Sequence, residues 1–152
     1  MRVILLCGLP GSGKTTLAKT LATTLPAIRL SPDEWMAALG VDLFDEPFRA
    51  RLEAVFRQHT RALLAQGLTV VLENGFWTRA EREELLREGR ALGAEVELRF
   101  LDVPIEELVR RLESRNAQPG NVRITRSMLE EYAALFETPD AAELALFDPI
   151  RD

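Results

Sequence analysis

The chain has 152 residues and a formal net charge of −5 at pH 7, with 47% hydrophobic and 28% charged residues. This balance predicts one soluble globular domain over residues 1–152, and the absence of any run of eighteen apolar residues excludes a membrane span. The single cysteine, Cys7, excludes an internal disulfide and a cysteine-rich metal site. The lack of a basic block argues against extended nucleic-acid binding. The N-terminal MRVILLCG is too short for a signal peptide, so we expect a cytoplasmic location.

The first half of the chain alternates apolar runs with helical patterns. RVILLC, residues 2–7, is almost wholly apolar, as expected of a strand that is buried on both faces. Ser31 and Glu34 have the spacing of a capping box at a helix start, and the lone His59 is expected at the edge of the core. In chain order the predicted elements are a strand over 2–7, a helix over 14–25, a strand over 27–30, a helix beginning at 31–34 and a helix over 46–66.

The second half continues the alternation. TVVLE, residues 69–73, predicts another buried strand, and EVELRFLD, residues 95–102, alternates like a half-exposed strand near a sheet edge. That pattern places Glu97 and Arg99 on the exposed side of the strand. Further helices are predicted over 78–91, 104–116 and 125–136. Residues 137–152 show little periodicity and are interpreted as a C-terminal tail of uncertain role.

One motif carries the strongest chemical signal. GLPGSGKT, residues 8–15, matches G-x-x-x-x-G-K-[ST] and lies between the first strand and the first helix, the context that this motif requires. Its glycines let the backbone turn tightly and aim N–H groups at phosphate oxygens. Lys14, one of only two lysines, is a compact charge that can reach the outer phosphates, where the planar fork of arginine would not fit. Thr15 offers a hydroxyl to Mg²⁺.

The motif and its context define the expected fold and nucleotide site. Strands that alternate with helices imply βαβ units, so we predict an α/β fold. Its expected form is a three-layer P-loop NTPase sandwich with a mostly parallel central sheet flanked by helices. The predicted ligands are ATP and Mg²⁺. The residues expected to bind the nucleotide through this loop are Gly8, Pro10, Gly11, Ser12, Gly13, Lys14, Thr15 and Thr16.

Two acids follow predicted strands. Asp33 comes directly after the second strand, on the rim where open α/β sheets bind ligands. A carboxylate there can accept a proton from an attacking hydroxyl, although an acid in a first helical turn also favours the helix dipole. Glu73 ends a buried strand and is interpreted either as a Mg²⁺ support acting through water or as an anchor for the next loop. Trp35 and Trp77 follow the two acids, as walls of an acceptor pocket or as core residues.

Two arginines at the end of a predicted helix are candidates for closing over the nucleotide. Arg111 and Arg115 are four residues apart, and Arg115 lies beside the inward stripe of the 104–116 helix. Together with the stretch AQPGN, residues 117–121, they are placed to stabilise the charge of a transferring phosphoryl group. The alternative is a salt-bridge role with the neighbouring glutamates Glu107 and Glu113.

Four stretches together resemble a known family. They are GLPGSGKT, SPDEWM, VLENGFWTRAERE and FLDVPIEELVRRLESRN. They look like the P-loop kinases grouped with polynucleotide 5′-hydroxyl kinases, chloramphenicol phosphotransferase and zeta toxins. The likeness covers roughly residues 1–135. It implies that Asp33 is the general base, that Arg115 is the lid arginine, and that Glu73 matches the acid after the third strand, where these enzymes usually carry aspartate.

The sequence departs from the polynucleotide kinases at one informative place. Those enzymes typically carry a basic residue one turn past the base, where this chain has Met36, so the departure favours a smaller and less anionic acceptor. We therefore predict a kinase that transfers the γ-phosphoryl group of ATP to a small hydroxyl-bearing acceptor, such as a sugar, a nucleoside or an antibiotic-like compound. A polynucleotide 5′-hydroxyl kinase is the first alternative. A nucleotide-dependent switch or assembly ATPase is the second, and the absence of an N-K-x-D motif disfavours a GTPase.

Overall fold

The computed structural model describes residues 1–119 and 123–151, and a parallel sheet lies at the centre of the fold. Its strands are β1 (Arg2–Cys7), β2 (Ala27–Leu30), β3 (Thr69–Gly75) and β4 (Glu95–Phe100). They lie in the order β2-β3-β1-β4, and each neighbouring pair is parallel. The central strand β1 therefore carries the P-loop at its carboxyl end, between the ends of β3 and β4.

Helices cover both faces of the sheet, which confirms the predicted three-layer α/β arrangement. One face packs Ile4, Leu6 and Val71 against α1, and the other packs Val3, Leu5 and other apolar side chains against α3 and α4. The helices of the described ranges are α1 (Lys14–Thr24), α2 (Pro32–Ala38), α3 (Glu46–Ala65), α4 (Arg79–Ala91), α5 (Ile105–Asn116), α6 (Arg126–Leu135) and α7 (Ala141–Leu144). Within those ranges, none has the length and apolar character that a membrane crossing needs.

A third apolar cluster joins α5 to α6 beside the P-loop. Its buried members are Leu108, Val109, Leu112 and Leu129, and Leu9 of the P-loop packs against it. The pair α5 and α6 therefore rests directly on the nucleotide-binding loop. Of the stretch AQPGN, Gly120 and Asn121 lie outside the described residues.

Strand β4 corrects one prediction about exposure. Glu97 and Arg99 were expected on the solvent side, yet both are buried, with Glu97 at 0% exposure. Glu97 is paired on one side with Arg2 at 2.6 Å and on the other with Arg99 at 3.0 Å. Charges that neutralise one another in this way can be buried, so an alternating pattern does not by itself indicate a solvated face.

Helix α3 corrects the expectation for its histidine. Its buried residues are Leu52, Phe56, Thr60 and Leu64, spaced by four, whereas Val55 and His59 are exposed. His59 lies one residue before Thr60, which turns its side chain about 100° away from the buried stripe. It is therefore a surface residue of α3 and not part of the core edge.

The tail beyond residue 136 contains structure that periodicity did not reveal. Asp140 caps the short helix α7 by accepting a hydrogen bond from Glu143 N at 2.8 Å. Phe147 is buried in the main core cluster, and Asp148 N donates to the Val96 carbonyl at 2.8 Å. This segment therefore packs on the sheet beside β4.

Candidate functional site

The P-loop, residues 8–13, joins β1 to α1. Gly11 and Gly13 have φ angles of 84° and 98°, which residues with a side chain rarely adopt. Gly13 is the N-cap of α1 and provides no side-chain cap, whereas α2, α3 and α4 are capped by Ser31, Asp45 and Thr78. The first N–H groups of α1 therefore lack a side-chain acceptor and form, with the positive helix end, a site suited to an anion.

Lys14 folds back over this loop. Its Nζ donates to the carbonyl oxygens of Gly8 at 2.9 Å and Leu9 at 3.0 Å. Burial lowers the pKa of Lys14 to about 8, while the Asp33 carboxylate acts in the opposite direction and the Arg115 guanidinium lowers the pKa further. Two of the predicted catalytic side chains therefore lie close enough to Lys14 to influence its charge.

The other predicted nucleotide-binding residues of this loop and of the start of α1 differ in how deeply they are buried. A Cβ atom at Gly8 would lie 2.7 Å from Ser12 Oγ and 3.3 Å from the Leu101 carbonyl oxygen, so a side chain there would crowd the loop. Ser12 is buried, and its Oγ has no hydrogen-bond partner in the described part of the chain. Pro10 is half-buried, and Thr15 and Thr16 are exposed at the start of α1.

Asp33 occupies the first turn of α2 on the same rim. Its side chain is 65% exposed and forms an ion pair with Arg49 at 2.7 Å, and Arg49 also donates to the Leu43 carbonyl at 2.9 Å. The helix cap is supplied by Ser31, whose Oγ accepts from Glu34 N at 3.3 Å. Asp33 is therefore free of the capping role, and Arg49 orients its carboxylate.

Glu73 lies near the end of β3, and β2 supplies its partner. Arg29 donates to Glu73 Oε2 through Nε at 3.0 Å, and its NH2 group lies 2.8 Å from the same oxygen. Burial raises the pKa of Glu73, against the lowering effects of Arg29 and of the Thr15 hydroxyl. Glu73 Oε1 is buried without a hydrogen-bond partner among the described residues.

These oxygens fit a hydrated Mg²⁺ bound mainly by phosphates. The Glu73 carboxylate has one orphaned oxygen and lies close enough to the Thr15 hydroxyl to be influenced by it, which suits an ion that retains several of its waters. No group of three or more His, Cys, Asp or Glu side chains within residues 1–119 and 123–151 could hold a metal by itself. The ion-pair role of Glu73 with Arg29 also agrees with the alternative that it anchors the loop after β3.

Helix α5 places one of its two candidate arginines on the P-loop. Arg111 NH1 donates to the Gly11 carbonyl at 3.1 Å, while its Nε donates to Glu107 at 3.0 Å. The neighbouring Arg110 pairs with the same glutamate but is 73% exposed. Arg115 is exposed in the last turn of α5. The salt-bridge role and the P-loop contact therefore coexist in Arg111.

The two tryptophans that follow Asp33 and Glu73 lie in different surroundings. Trp35 is partly exposed and packs edge-on against Phe56, with ring centroids 5.0 Å apart. Trp77 is half-buried and contacts Tyr132, with centroids 5.2 Å apart. Met36 is fully buried in the core cluster, so the position that carries a basic residue in the polynucleotide kinases does not face the cleft here.

Negative charge surrounds Asp33 and Arg49. Glu53 of α3 is half-buried, and burial and the Glu81 carboxylate raise its pKa to about 7, with Arg49 acting against them. Glu46 and Asp33 add to the rise. Because Arg49 is already paired with Asp33, this side of the site has an excess of carboxylates.

Sequence reasoning missed several residues that organise the site. It assigned no site role to Arg29 and considered Arg49 and Arg82 only as members of a basic groove, yet each forms an ion pair with a residue distant in sequence. Helical spacing could have indicated that Glu46, Arg49 and Glu53 share one face of α3. Nothing in the sequence alone indicated their partners on other elements.

The fold and the P-loop geometry define a nucleotide-binding protein of the P-loop class. The chain belongs to the AAA-domain family of P-loop kinases, whose family model, described as AAA domain, matches residues 3–139. It is 34% identical over 121 residues to the shikimate kinase of Synechococcus elongatus, a match that covers 76% of this chain. The chain spans only 60% of the length of that relative.

Solved structures show the same fold. A sugar kinase from Janibacter sp. HTCC2649 has a TM-score of 0.69 and 25% identity, covering 94% of this chain and 82% of that one. A chain of the Pnkp1/Rnl/Hen1 RNA repair complex has a TM-score of 0.70 and 26% identity, covering 88% of this chain and 43% of that one. The family resemblance expected from the sequence motifs is therefore confirmed.

Proposed function

We propose that this protein is an ATP-dependent phosphotransferase that moves the γ-phosphoryl group to a hydroxyl of a small acceptor. The observation that carries the proposal is the position of Asp33. Its exposed carboxylate lies in the first turn of α2, close enough to Lys14 at the start of α1 to act against the lowering of that lysine's pKa. A phosphate-binding loop and a proton acceptor on one rim are the parts that phosphoryl transfer to an alcohol needs.

Each residue has a role in this reaction. The N–H groups at the start of α1 and the Lys14 ammonium bind the phosphates. Asp33, oriented by Arg49, accepts the proton of the acceptor hydroxyl. The hydroxyl oxygen bonds to the γ-phosphorus while the bond between that phosphorus and the bridging oxygen of ADP breaks. Arg115 and Arg111 stabilise the negative charge of the transferring group.

The metal role falls to Thr15 and Glu73. Thr15 would bind Mg²⁺ directly, and the unpartnered Oε1 of Glu73 would hold one of its waters. When bound, the ion neutralises charge on the β- and γ-phosphate oxygens. Arg29 keeps the Glu73 side chain aimed at this position through two contacts to Oε2.

The charges around Asp33 support a small acceptor that is not a polyanion. Glu46 and Glu81 add negative charge near Asp33 and Glu53, and Arg49 is occupied by Asp33. The relatives named shikimate kinase and sugar kinase also fit a small hydroxyl compound. A screen of hydroxyl compounds would identify the acceptor within that class.

A polynucleotide 5′-hydroxyl kinase is the second candidate, favoured by the likeness to a chain of the RNA repair complex. Such an enzyme needs cationic side chains for the backbone of its substrate. Four arginines are candidates for such a groove, and each already has a partner. Arg49 pairs with Asp33, Arg79 with Glu83 and Arg82 with Glu143, while Arg51 lies over the Phe48 ring.

The test is an ATP-consumption screen over hydroxyl compounds, with phosphorylated products identified by mass spectrometry. The panel contains shikimate, gluconate, sugars, nucleosides, aminoglycosides, chloramphenicol and a 5′-hydroxyl oligonucleotide. We expect one small compound to be phosphorylated. Consumption of ATP without any phosphorylated product from the panel would favour an ATPase, and efficient labelling of the oligonucleotide alone would favour the second candidate.

Asp33→Asn separates the base from a structural role in the same assay. The variant keeps the shape of the side chain but cannot take a proton, so transfer should fall about 10²–10⁴-fold while Mg·ATP affinity stays near that of the wild type. The matched control is Ser31→Ala, which removes the observed cap of α2 and should cost about 1 kcal/mol of stability with little effect on transfer. Normal transfer by Asp33→Asn would contradict the assignment.

A further inference from the structure

Arg82 of α4 is the largest fully buried side chain of the described chain, although the sequence places it in a helix rich in charged residues. It is 0% exposed and forms a two-pronged ion pair with Glu143 of α7, through Nε at 2.8 Å and NH2 at 2.9 Å. Its remaining donors reach the carbonyl oxygens of Phe76 at 2.8 Å and Glu137 at 2.7 Å. A buried guanidinium with this many partners holds in place the chain segments to which those partners belong.

The first of these partners belongs to the loop 75–78, which connects β3 to α4. Phe76 has a φ of 49°, in the left-handed region that a bulky side chain rarely occupies. Its carbonyl accepts from Arg82 and also from the Cys7 thiol at 3.4 Å. This strained residue is therefore held by hydrogen bonds from two other elements.

The loop 75–78 lies directly against the P-loop. Gly75 O accepts a hydrogen bond from Gly8 N at 3.0 Å. A Cβ atom at Gly75 would lie 3.3 Å from the Gly8 carbonyl and 3.0 Å from Trp77 Nε1, so the approach leaves no space for a side chain. A change in the conformation of Phe76 would therefore move both the P-loop and the indole of Trp77.

The second group of partners belongs to the C-terminal segment, residues 137–147. Glu137 N donates to the Trp77 carbonyl at 2.8 Å, and the Glu137 carboxylate accepts from Arg79 N at 2.7 Å. Phe147 anchors the far end of the segment in the core. The segment is thus bonded to the loop 75–78 directly and through Arg82.

We propose that Arg82 is a positioning residue that clamps the loop 75–78 against the P-loop by joining it to the C-terminal segment. Its catalytic consequence rests on the phosphotransferase function proposed above, but the clamp itself does not. Without the guanidinium, Phe76 is free to leave its strained conformation, and the alignment of Gly75 with Gly8 is lost. The role of the C-terminal segment is then to hold the active-site loop and not merely to cover the sheet.

The test compares variants of the full chain that carry Trp35→Phe, so that Trp77 is the single fluorescent tryptophan. Arg82→Lys keeps the charge and loses the fork, and Glu143→Gln weakens the anchor. Arg82→Met combined with Glu143→Leu removes both charges together, which leaves no unpaired buried charge to unfold the chain. The matched control is Glu88→Gln. Glu88 lies on α4, the same helix as Arg82, but its ion pair is with Arg57 of α3, away from the loop.

Three measurements are made on each variant: urea unfolding, acrylamide quenching of Trp77, and binding of a fluorescent ADP. For the folded variants at Arg82 and Glu143, we expect the quenching constant to rise about twofold or more, because the loop opens locally. ADP binding should weaken in parallel. Glu88→Gln should change only the unfolding midpoint.

The transfer assay adds the catalytic arm, with the acceptor identified by the screen. A misplaced loop should lower kcat about 10–100-fold in protein that is still folded, whereas a merely stabilising ion pair would leave kcat of the folded fraction unchanged. Wild-type quenching and ADP binding in folded Glu143→Gln and in the double variant would overturn the clamp. Failure of the screen would count against the proposed function alone, since quenching and ADP binding need no acceptor.

Discussion

Lys14 shows how much of the site depends on the surroundings of one side chain. Its ammonium group donates to two P-loop carbonyl groups, those of Gly8 and Leu9. Burial brings its pKa down to about 8, so the charge that binds phosphate is partly lost in mildly alkaline solution. Phosphate binds the charged form better, and binding must therefore be coupled to protonation.

The affinity for fluorescent ADP should fall as the pH rises above about 8. The expected loss approaches about tenfold per pH unit, because the neutral amine must take up a proton before it can contact the phosphates. Titrations between pH 6.5 and 9.5 measure it. Lys14→Arg is the control: its guanidinium stays charged throughout, so its weaker binding should not change with pH. Equal pH profiles for the two proteins would contradict the prediction.

At the scale of elements, helix α5 acts as a partner of the P-loop. Leu112 packs so close to Gly11 that a Cβ atom there would lie 3.2 Å from Leu112 Cγ. Arg111 adds a hydrogen bond to the Gly11 carbonyl, and Glu107 holds Arg111 in place. The helix therefore controls both the shape of the loop and the position of the cations above it.

Arg111→Gln should reduce phosphoryl transfer by about tenfold or more, since it removes the cation that is bonded to the Gly11 carbonyl and that we propose stabilises the transferring group. Arg110→Gln is a matched control, because Arg110 also pairs with Glu107 but shows no contact with the P-loop. Initial rates at saturating ATP compare the two variants. A similar loss of rate in both would mean that the salt bridges of Glu107, and not the contact with Gly11, are what matters.

The packing of α3 on α4 also has an electrostatic pattern. Arg57 pairs with Glu84 and Glu88 further from the site. One turn closer to the site, Glu53 and Glu81 repel each other, and burial together with this repulsion raises the pKa of Glu53 to about 7. The folded chain thus binds more protons than the unfolded chain between pH 4.5 and 7, and this group makes folding less favourable as the pH rises through that range.

Glu53→Gln should increase the free energy of unfolding above pH 7 and leave it nearly unchanged below pH 4.5. After allowance for solvent screening the gain is on the order of 1 kcal/mol. Urea unfolding at pH 5 and pH 8 measures the difference. The control Glu84→Gln, which loses a favourable pair with Arg57, should give no gain at either pH. A pH-independent effect of Glu53→Gln would rule out the titration as the cause.

At the scale of the whole molecule, the net charge of −5 and the paired arginines lead us to expect weak binding of polyanions. Binding of a single-stranded 5′-hydroxyl oligonucleotide should be weak and should depend little on salt. With at most one or two phosphate contacts, the slope of log affinity against log salt should be no steeper than about −1.4. Fluorescence anisotropy between 50 and 300 mM salt measures it. A much steeper slope with tight binding would require a basic groove and would favour the polynucleotide kinase alternative.

The sequence predicted those features whose information is contiguous. The P-loop can be read from residues 8–15 because its glycines, lysine and threonine lie within one turn and one helix start, and strands β1 and β3 follow from apolar runs. The pairs Arg82–Glu143 and Arg29–Glu73 could not be read, because their members come from elements far apart in the chain. The same limit explains Glu97, whose burial depends on Arg2. The roles of the site residues and the single-domain boundaries stay predictions.

The position of Cys7 gives the molecule a natural reporter of its own local opening. The thiol is buried at the carboxyl end of the central strand, donates to the Phe76 carbonyl, and has its pKa raised to about 11 by burial. A thiol-specific reagent can therefore react only during brief fluctuations that separate this strand end from its neighbours. Because the chain has no second cysteine, the rate of alkylation measures how often the strand end before the P-loop opens. A bound nucleotide would lower that rate.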